Sequence, residues 1–550
     1  MSSRPDTEAM DLASTRPLVL ERIREAVDSA DGARGGTSSF WSWPLHGPAS
    51  SAIPFLAVAA VAAPAAILRL WNLNVLGFNS DEAVYAGQAA AIVGDRQLNG
   101  LFPLFRAHPL LFQMAVSLVY RAHVGDLAPR VLAVAFGIGT VAMGYAAGAR
   151  IYGRRAGFVA ALLLAVMPYF VVVNRQALLD GPMTFFSVIA LWLLARFAAT
   201  GRRTELYGAG AALGLAFLSK ETAVLLLPAA YAFLAVTPSV RVRLKDVAYF
   251  FGCFGAVSLP YPVSLAVAGG SKTGQHFLTW QLFRPANHVW TFYFAVVPLA
   301  IGIPVMICAA CRLIATVRAS RWSWRESLLV CWSVVPFFFY QLWPVKGFEY
   351  LLPVAVPMAV LAASMLVDLQ LPDRLARGRL IRLPAISIGA TAAVAAWLVF
   401  ASLGSIGTAA SSTTFLAGTG GVPGGRAAGT WIGRHTPAGS EMLAIGPSMA
   451  NILEFYGHRE VLGLSVSPNP LHRNPAYEPV NNPDLLLRTG QIQYVAWDAY
   501  SASRSHYFSQ RLLSYVRRYK GTVVHVESVT VNTPRGPVRR PVITIYEVRP

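Results

Sequence analysis

Charge is what this chain has least of. Only 13% of its 550 residues are Asp, Glu, Lys or Arg, about half the share found in a soluble globular domain. With 55% hydrophobic residues and a mean hydropathy of +0.48, that scarcity excludes a soluble domain and a mainly disordered chain alike. It also argues against nucleic acid as a partner despite the net charge of +19, because nucleic-acid binders are rich in charge. Cysteine is scarce too. Cys253, Cys308, Cys311 and Cys331 all fall in apolar stretches. Cys308 and Cys311 form a C-x-x-C with neither a second pair nor a nearby His to complete a zinc site, so all four read as buried small residues of membrane helices. The polar C-terminal part has no cysteine and so no disulfide. The first 50 residues lack the apolar core of a secretory signal. They read as a cytoplasmic tail, with 17–28 able to form a short amphipathic helix. No internal repeat is visible.

What is there is apolar sequence in long runs. Eleven segments approach the roughly 20 residues a membrane span requires: 53–70, 128–149, 157–174, 183–199, 206–219, 222–237, 247–268, 291–311, 328–344, 351–367 and 384–408. Between the first two lies a semi-polar stretch whose parts 81–93 and 109–122 read as short interfacial helices. With the N-terminus inside, the inner loops collect Arg150, Arg154 and Arg155, then Arg202 and Arg203, Arg241 to Lys245, Arg312 to Arg325, and Arg374 to Arg382, whereas the short outer loops hold scattered bases such as Arg175 and Lys272. That asymmetry follows the positive-inside rule. Treating 206–237 as two short helices, with Lys220 and Glu221 in a turn below the outer surface, preserves it. The odd number of spans puts the C-terminus outside. Ala417–Gly425 (AGTGGVPGG) reads as a linker. Strands are expected at 442–446, 461–465, 493–497, 522–527 and 541–547, and helices at 447–457 and 505–519. The expected fold class is a polytopic α-helical membrane protein with a small C-terminal extracytoplasmic α/β domain. Its parts are a tail at 1–50, a transmembrane domain at 51–410 and the outer domain at 426–550.

The ionisable groups of this apolar chain gather at the outer ends of spans. They include Asp81, Glu82, Arg106, His108, Arg175, Asp180, Lys220, Glu221, Arg284, His288, Lys346 and Glu349. Polar groups near membrane depth are costly and therefore informative. Each has a structural explanation when taken alone. Asn79-Ser80-Asp81-Glu82 has the makings of a helix cap with acids in the first turn, Arg175 and Asp180 of an interfacial salt bridge, and Arg284, Lys346 and Tyr350 of snorkelling anchors. Together they offer acids able to act as bases and cations able to hold an anion, at the level where a lipid-borne substrate presents its headgroup. Asp81 and Glu82 are also a donor pair for a divalent cation.

The ordered set resembles the GT-C membrane glycosyltransferases of the protein O-mannosyltransferase and lipid A aminoarabinose transferase type. Five motifs carry the resemblance: Asp81-Glu82 after the first span; His108-Pro109, with Leu110 where the mannosyltransferases have a second Pro; Arg175 to Asp180; Leu218-Ser219-Lys220; and Lys346 with Tyr350-Leu351-x-Pro353. They span residues 53–408 in order. The C-terminal part lacks the β-trefoil repeats of the eukaryotic enzymes and is more like the small outer domain of bacterial relatives. The resemblance implies inverting transfer of a sugar from a polyprenyl-phosphate donor to a lipid, glycan or protein acceptor at the outer face of the membrane. It assigns catalysis to Asp81, Asp180 and Glu82. Substrate binding falls to His108, Arg106, Arg175, Lys220, Arg284, His288, Lys346 and Tyr350. A divalent cation, if used, would sit at Asp81 and Asp180. A lipid-linked sugar transporter or flippase would place its ionisable groups at mid-span. A cell-envelope scaffold would leave the outer acids dispensable.

Overall fold

The structure is a computed structural model that describes residues 52–104, 108–267, 280–281, 283–369, 383–411, 414–534 and 536–550. The expected tail, Arg106, Lys272 and the basic loop 374–382 lie outside the described residues. Contacts divide the chain into two units, Met1–Ala59 and Ala60–Pro550. In the first unit only the beginning of helix α1 is described, and the following account concerns the second.

Helix α1 (Ala52–Leu70) precedes two short helices, α2 (Ser80–Ile92) and α3 (Leu111–Tyr120). Then come α4 (Leu127–Tyr152), α5 (Arg154–Val166), α6 (Pro168–Val173), α7 (Asp180–Thr200) and α8 (Arg203–Ser219), a 3-10 turn (Glu221–Leu225), and α9 (Leu226–Val236). The helical part ends with α10 (Leu244–Ser258), α11 (Pro260–Val267), α12 (Phe292–Ile301), α13 (Ile303–Arg318), α14 (Trp324–Leu342), a second 3-10 turn (Phe348–Leu351), α15 (Leu352–Val367) and α16 (Leu383–Ile406).

Among the described residues four helices are long and apolar enough to cross a membrane, or up to six if each of two bent pairs is one span. The described residues of the eleven segments are largely helical, but several segments are interrupted. Pro168 starts α6 and divides the expected 157–174 span, because its ring is tolerated in a first turn and not in a helix interior. Pro260 follows a 42° bend between α10 and α11. The sharpest break is the 95° bend between α12 and α13, at Gly302 with φ +100. A Cβ there would fall 2.5 Å from a methyl of Leu398, so the bend needs glycine both for its backbone and for the close approach of α16. The break expected at Lys220-Glu221 is present, since Lys220 is extended between α8 and the 3-10 turn. The cysteines differ from expectation. Cys311 is exposed and the other three are half-buried, on the outward faces that an apolar helix can leave bare when lipid covers them.

The C-terminal layer contains helix α17 (Gly425–His435), strand β1 (Glu441–Ala444), α18 (Pro447–Gly457), β2 (Glu460–Gly463), α19 (Pro483–Arg488), β3 (Ile492–Asp498), α20 (Ala499–Arg504), α21 (His506–Arg518), β4 (Thr522–Thr533) and β5 (Gly536–Glu547). The sheet order is β2-β1-β3-β5-β4, parallel among β2, β1 and β3 and antiparallel thereafter. Side chains alternate across it. Met442 and Ala444 enter one core with α17 and α18, while Leu443 and Ile445 enter another with α21. The first of these cores also contains Phe78, Ala83, Phe102 and Phe112, so one face of the sheet and helices α2 and α3 share a single apolar interior.

The polar anchor of that region is a fully buried ion pair. Arg130 of α4 donates from Nε to Glu82 Oε1 at 2.7 Å and from Nη2 to Oε2 at 2.6 Å. It also donates to the carbonyls of Leu73 and Gly77. Glu82 further accepts the backbone N–H groups of Asn79 (3.0 Å) and Ala177 (2.8 Å). This corrects the catalytic expectation for Glu82, whose two oxygens are both engaged and inaccessible. A buried pair broken on one side leaves an uncompensated charge, which costs about 3–5 kcal/mol. Arg130→Met and Glu82→Gln should therefore each lower the thermal unfolding midpoint of the purified protein clearly, and Glu82→Met/Arg130→Met should recover most of the loss. Single variants that melt with the wild type would contradict the anchoring role.

Candidate active site

Helix α2 begins where Asn79 Oδ1 accepts the N–H groups of Asp81 and Glu82, both at 3.0 Å. With Glu82 drawn inward by Arg130, the preceding residue must point the other way. Asp81 does: its side chain opens into a solvent-reached recess between the helical part and the C-terminal layer. Asn451 of α18 donates to Ser80 Oγ at 3.0 Å and to the Tyr477 hydroxyl at 2.8 Å. The layer thus meets α2 next to Asp81.

A second carboxylate enters from the first turn of α7. Asp180 is buried, and Lys220 Nζ donates to both of its oxygens at 2.9 Å. The same ammonium lies 3.8 Å from Glu349 Oε1 and 5.1 Å from the centroid of the Tyr350 ring. Beside it, Glu221 Oε2 is 2.7 Å from His108 Nδ1, and the His108 ring meets Tyr85 edge-on at 5.9 Å. Residues from five separated stretches of chain therefore share one recess, and two of them, Lys220 and Glu221, come from the turn that interrupts an apolar segment.

The electrostatics separate the acids. Protein crowding around Asp81 disfavours its charged form, the Glu349 carboxylate adds to this, and Lys220, His108 and Arg504 oppose it; the balance raises the Asp81 pKa above its usual 3.8. His288 is pushed down from its usual 6.5 by burial, with Arg504 and Lys346 adding and Glu349 opposing. Arg504, at the end of α20, thus acts on both sides of the recess. Its guanidinium is held by the Tyr500 hydroxyl at 3.1 Å.

The structure brings together Asp81, Asp180, Lys220, His108 and Tyr350 of the expected site. His288 stacks on Phe292 at 4.2 Å along the same recess. Arg284 packs on Trp280 and donates to Gln281 at 3.0 Å, within electrostatic reach of Tyr350. Two expected binding residues are committed elsewhere. Arg175 is buried and donates to the carbonyls of Gly418, Leu68, Arg69 and Asn72, which ties the end of α1 to the linker. Lys346 Nζ donates to the carbonyls of Tyr340, Gln341 and Trp343. Its three protons cap the end of α14, and none is left for a phosphate. Glu349 and Glu221 stood among the outer ionisable groups without a role, although Glu349 lies inside the Lys346–Tyr350 motif. Arg504 had no signal, because the topology of the C-terminal layer alone brings it near.

A metal does not fit the expected position. Lys220 already occupies both oxygens of Asp180, and among the described residues no group of three or more His, Cys, Asp or Glu could hold an ion. An apolar groove of about 630 Å³ runs between α9 and α14, lined by residues that include Leu225, Pro228, Phe338, Phe339 and Trp343. Leu225 closes the 3-10 turn that starts at Glu221.

Residues 107–265 match the model of the dolichyl-phosphate-mannose-protein mannosyltransferase family. An undecaprenyl phosphate-α-4-amino-4-deoxy-L-arabinose arabinosyl transferase of Pectobacterium carotovorum is 28% identical over 245 residues, 41% of this chain and 43% of that protein. A second such protein, from Sodalis glossinidius, is 31% identical over 231 residues, 38% of this chain and 40% of that one. The chain thus spans about two fifths of the length of these curated relatives. Among solved structures, ArnT from Cupriavidus metallidurans bound to undecaprenyl phosphate is similar over 90% of this chain and 98% of that one, with a TM-score of 0.63 and 17% identity. The oligosaccharyltransferase of Archaeoglobus fulgidus covers 88% and 73%, with a TM-score of 0.55 and 13% identity. The chain thus shares the fold of these two solved structures.

Proposed function

We propose that the protein is a membrane glycosyltransferase that moves a sugar, with inversion, from a polyprenyl-phosphate-linked donor to a hydroxyl or phosphate of an acceptor at the outer face of the membrane. One observation carries the reading. Of the four carboxylates gathered in the recess, Asp180 and Glu349 flank Lys220 and Glu221 pairs with His108, while Asp81 is in no ion pair among the described residues and opens to solvent. It is the acid placed to take a proton.

The chemistry divides accordingly. The acceptor oxygen attacks the anomeric carbon as its proton passes to Asp81, and the bond from that carbon to the phosphate oxygen breaks on the opposite side, releasing polyprenyl phosphate. Phosphate leaves well, so the donor side needs charge stabilisation more than a proton. Lys220, with Tyr350 beneath it and Arg284 near it, supplies that. Asp180 and Glu349 hold the ammonium in place, and His108 lines the acceptor side. Holding both substrates in line provides much of the rate. The groove between α9 and α14 suits an isoprenoid tail by shape and polarity. The Arg-rich loops support an inner N-terminus and an outer C-terminal layer, with the division between the membrane part and that layer falling in the 417–425 linker. The naming of the relatives as aminoarabinose and mannosyl transferases supports the donor class.

The test is release of polyprenyl phosphate by the purified protein supplied with undecaprenyl-phosphate sugars and candidate acceptors. Asp81→Asn should lower kcat by roughly 10²–10⁴-fold, the range for a lost general base. Full activity in that variant would remove Asp81 from the role, and a transporter would move the donor without releasing the lipid phosphate. The pH dependence gives a second test. Asp81 must be ionised to act, and Glu349 helps to raise its pKa. Glu349→Gln should therefore shift the acid limb of kcat/KM to lower pH, and an upward shift would contradict the assignment.

A further inference from the structure

A second cavity, of about 520 Å³, lies between helix α17, the first half of strand β4 and the segment after α1. It shares no lining residue with the recess around Asp81. At its centre Trp431 is stacked between two imidazoles, His435 at 4.8 Å with planes 9° apart and His525 at 4.6 Å with planes 11° apart. Each imidazole has one N–H committed: His435 Nδ1 donates to the Trp431 carbonyl at 2.9 Å, and His525 Nε2 to Glu527 Oε1 at 2.8 Å. Arg426, at the inner end, is paired with Asp126 at 2.8 Å.

The groups left over include three donors, beside the second imidazole nitrogens and the other Glu527 oxygen. Arg434 is exposed in the last turn of α17 and, unlike His435, bonds to no helix carbonyl among the described residues. The indole N–H of Trp431 and the hydroxyl of Thr430, one turn before Arg434, have no partner there either. The lining carboxylate, Glu527, is already engaged by His525. The exposed Arg434 guanidinium, with the Trp431 and Thr430 donors beside it, can hold an anion such as phosphate. The other wall of the cavity is apolar. Val75 and Leu76 line it just beyond α1, and Val75 and nearby Trp71 are 57% and 65% exposed.

We propose that this cavity binds the phosphate headgroup of an anionic phospholipid, with Arg434 as its principal contact and Trp431 and Thr430 as further donors, and with the acyl chains on the side of Trp71 and Val75. The inference does not depend on the proposed activity.

The experiment is native mass spectrometry of the full-length protein in detergent, titrated separately with phosphatidylglycerol, phosphatidylcholine and inorganic phosphate. The wild type should retain one tightly held phosphatidylglycerol. Arg434→Glu should weaken that binding by about tenfold or more, the effect of losing one charge-assisted hydrogen bond, whereas Arg434→Lys should keep most of it and phosphatidylcholine should show no difference. Competition by inorganic phosphate would place recognition in the phosphate itself. Equal retention of phosphatidylglycerol by wild type and Arg434→Glu would overturn the proposal. Loss of only inorganic phosphate binding in that variant would overturn the lipid assignment.

Discussion

The pair between Glu82 and Arg130 fixes the floor of the recess. Burying two charges costs several kcal/mol per ion, and attraction offsets that only if the remaining hydrogen-bond sites are filled. Here they are: the guanidinium also holds the Leu73 and Gly77 carbonyls, and the carboxylate also holds the Asn79 and Ala177 N–H groups. Three stretches of chain are tied at one point, and two of them lead into the recess. The 73–82 stretch carries Asp81, the segment around Ala177 leads into Asp180, and α4 is a long helix of the apolar part. With Glu82 fixed inward, the helical geometry of the next turn leaves Asp81 to face out.

The C-terminal layer is part of the same construction. Its α17 and α18 pack into the core that contains α2 and α3. Polar contacts then set the angle between them: Tyr456 accepts the Phe78 N–H at 2.9 Å and donates to Asp126 at 2.8 Å, while Arg426 reaches Asn74 and Asp126. The linker is clamped as well, through Arg175 on Gly418 and Gln176 on Ala417. A layer held on this many sides does not swing freely over the recess, so Arg504 reaches Asp81 through a fixed scaffold.

How much of this the sequence revealed follows from the range of the interactions. Apolar runs report burial locally, so helix positions were legible, as was the alternation of the β-strands and the break at Lys220. The bend at Gly302 was not, because its need for glycine comes from Leu398, almost a hundred residues on. The same limit governs the charges. Asp81 and Glu82 are chemically alike and adjacent, and which one faces inward is decided by Arg130 in another helix. Arg175 and Lys346 looked like anion binders because nothing local shows which carbonyls will surround them. Lys220 kept its place because its partner Asp180 belonged to the same expected cluster. The motif order located the recess, and long-range hydrogen bonds decided which of its members serve the fold.

The charge balance of the recess has a consequence for catalysis. Asp81, Asp180, Glu221 and Glu349 face Lys220 and His108, so carboxylates outnumber cations among its described inner groups. Protein crowding raises the proton affinity of Asp81 first, and the Glu349 carboxylate adds to it, with no ion pair among the described residues to cancel it. In the proposed reaction, a carboxylate that binds a proton more readily than free aspartate takes one better from an acceptor hydroxyl. The opposing influence of Lys220, His108 and Arg504 limits the rise, which matters because a base that is already protonated cannot act. An anionic donor entering this recess would meet net repulsion from the acids unless its phosphate lay beside the cations. In the proposed reaction, the same arrangement would favour the donor phosphate beside Lys220, with the sugar between it and Asp81.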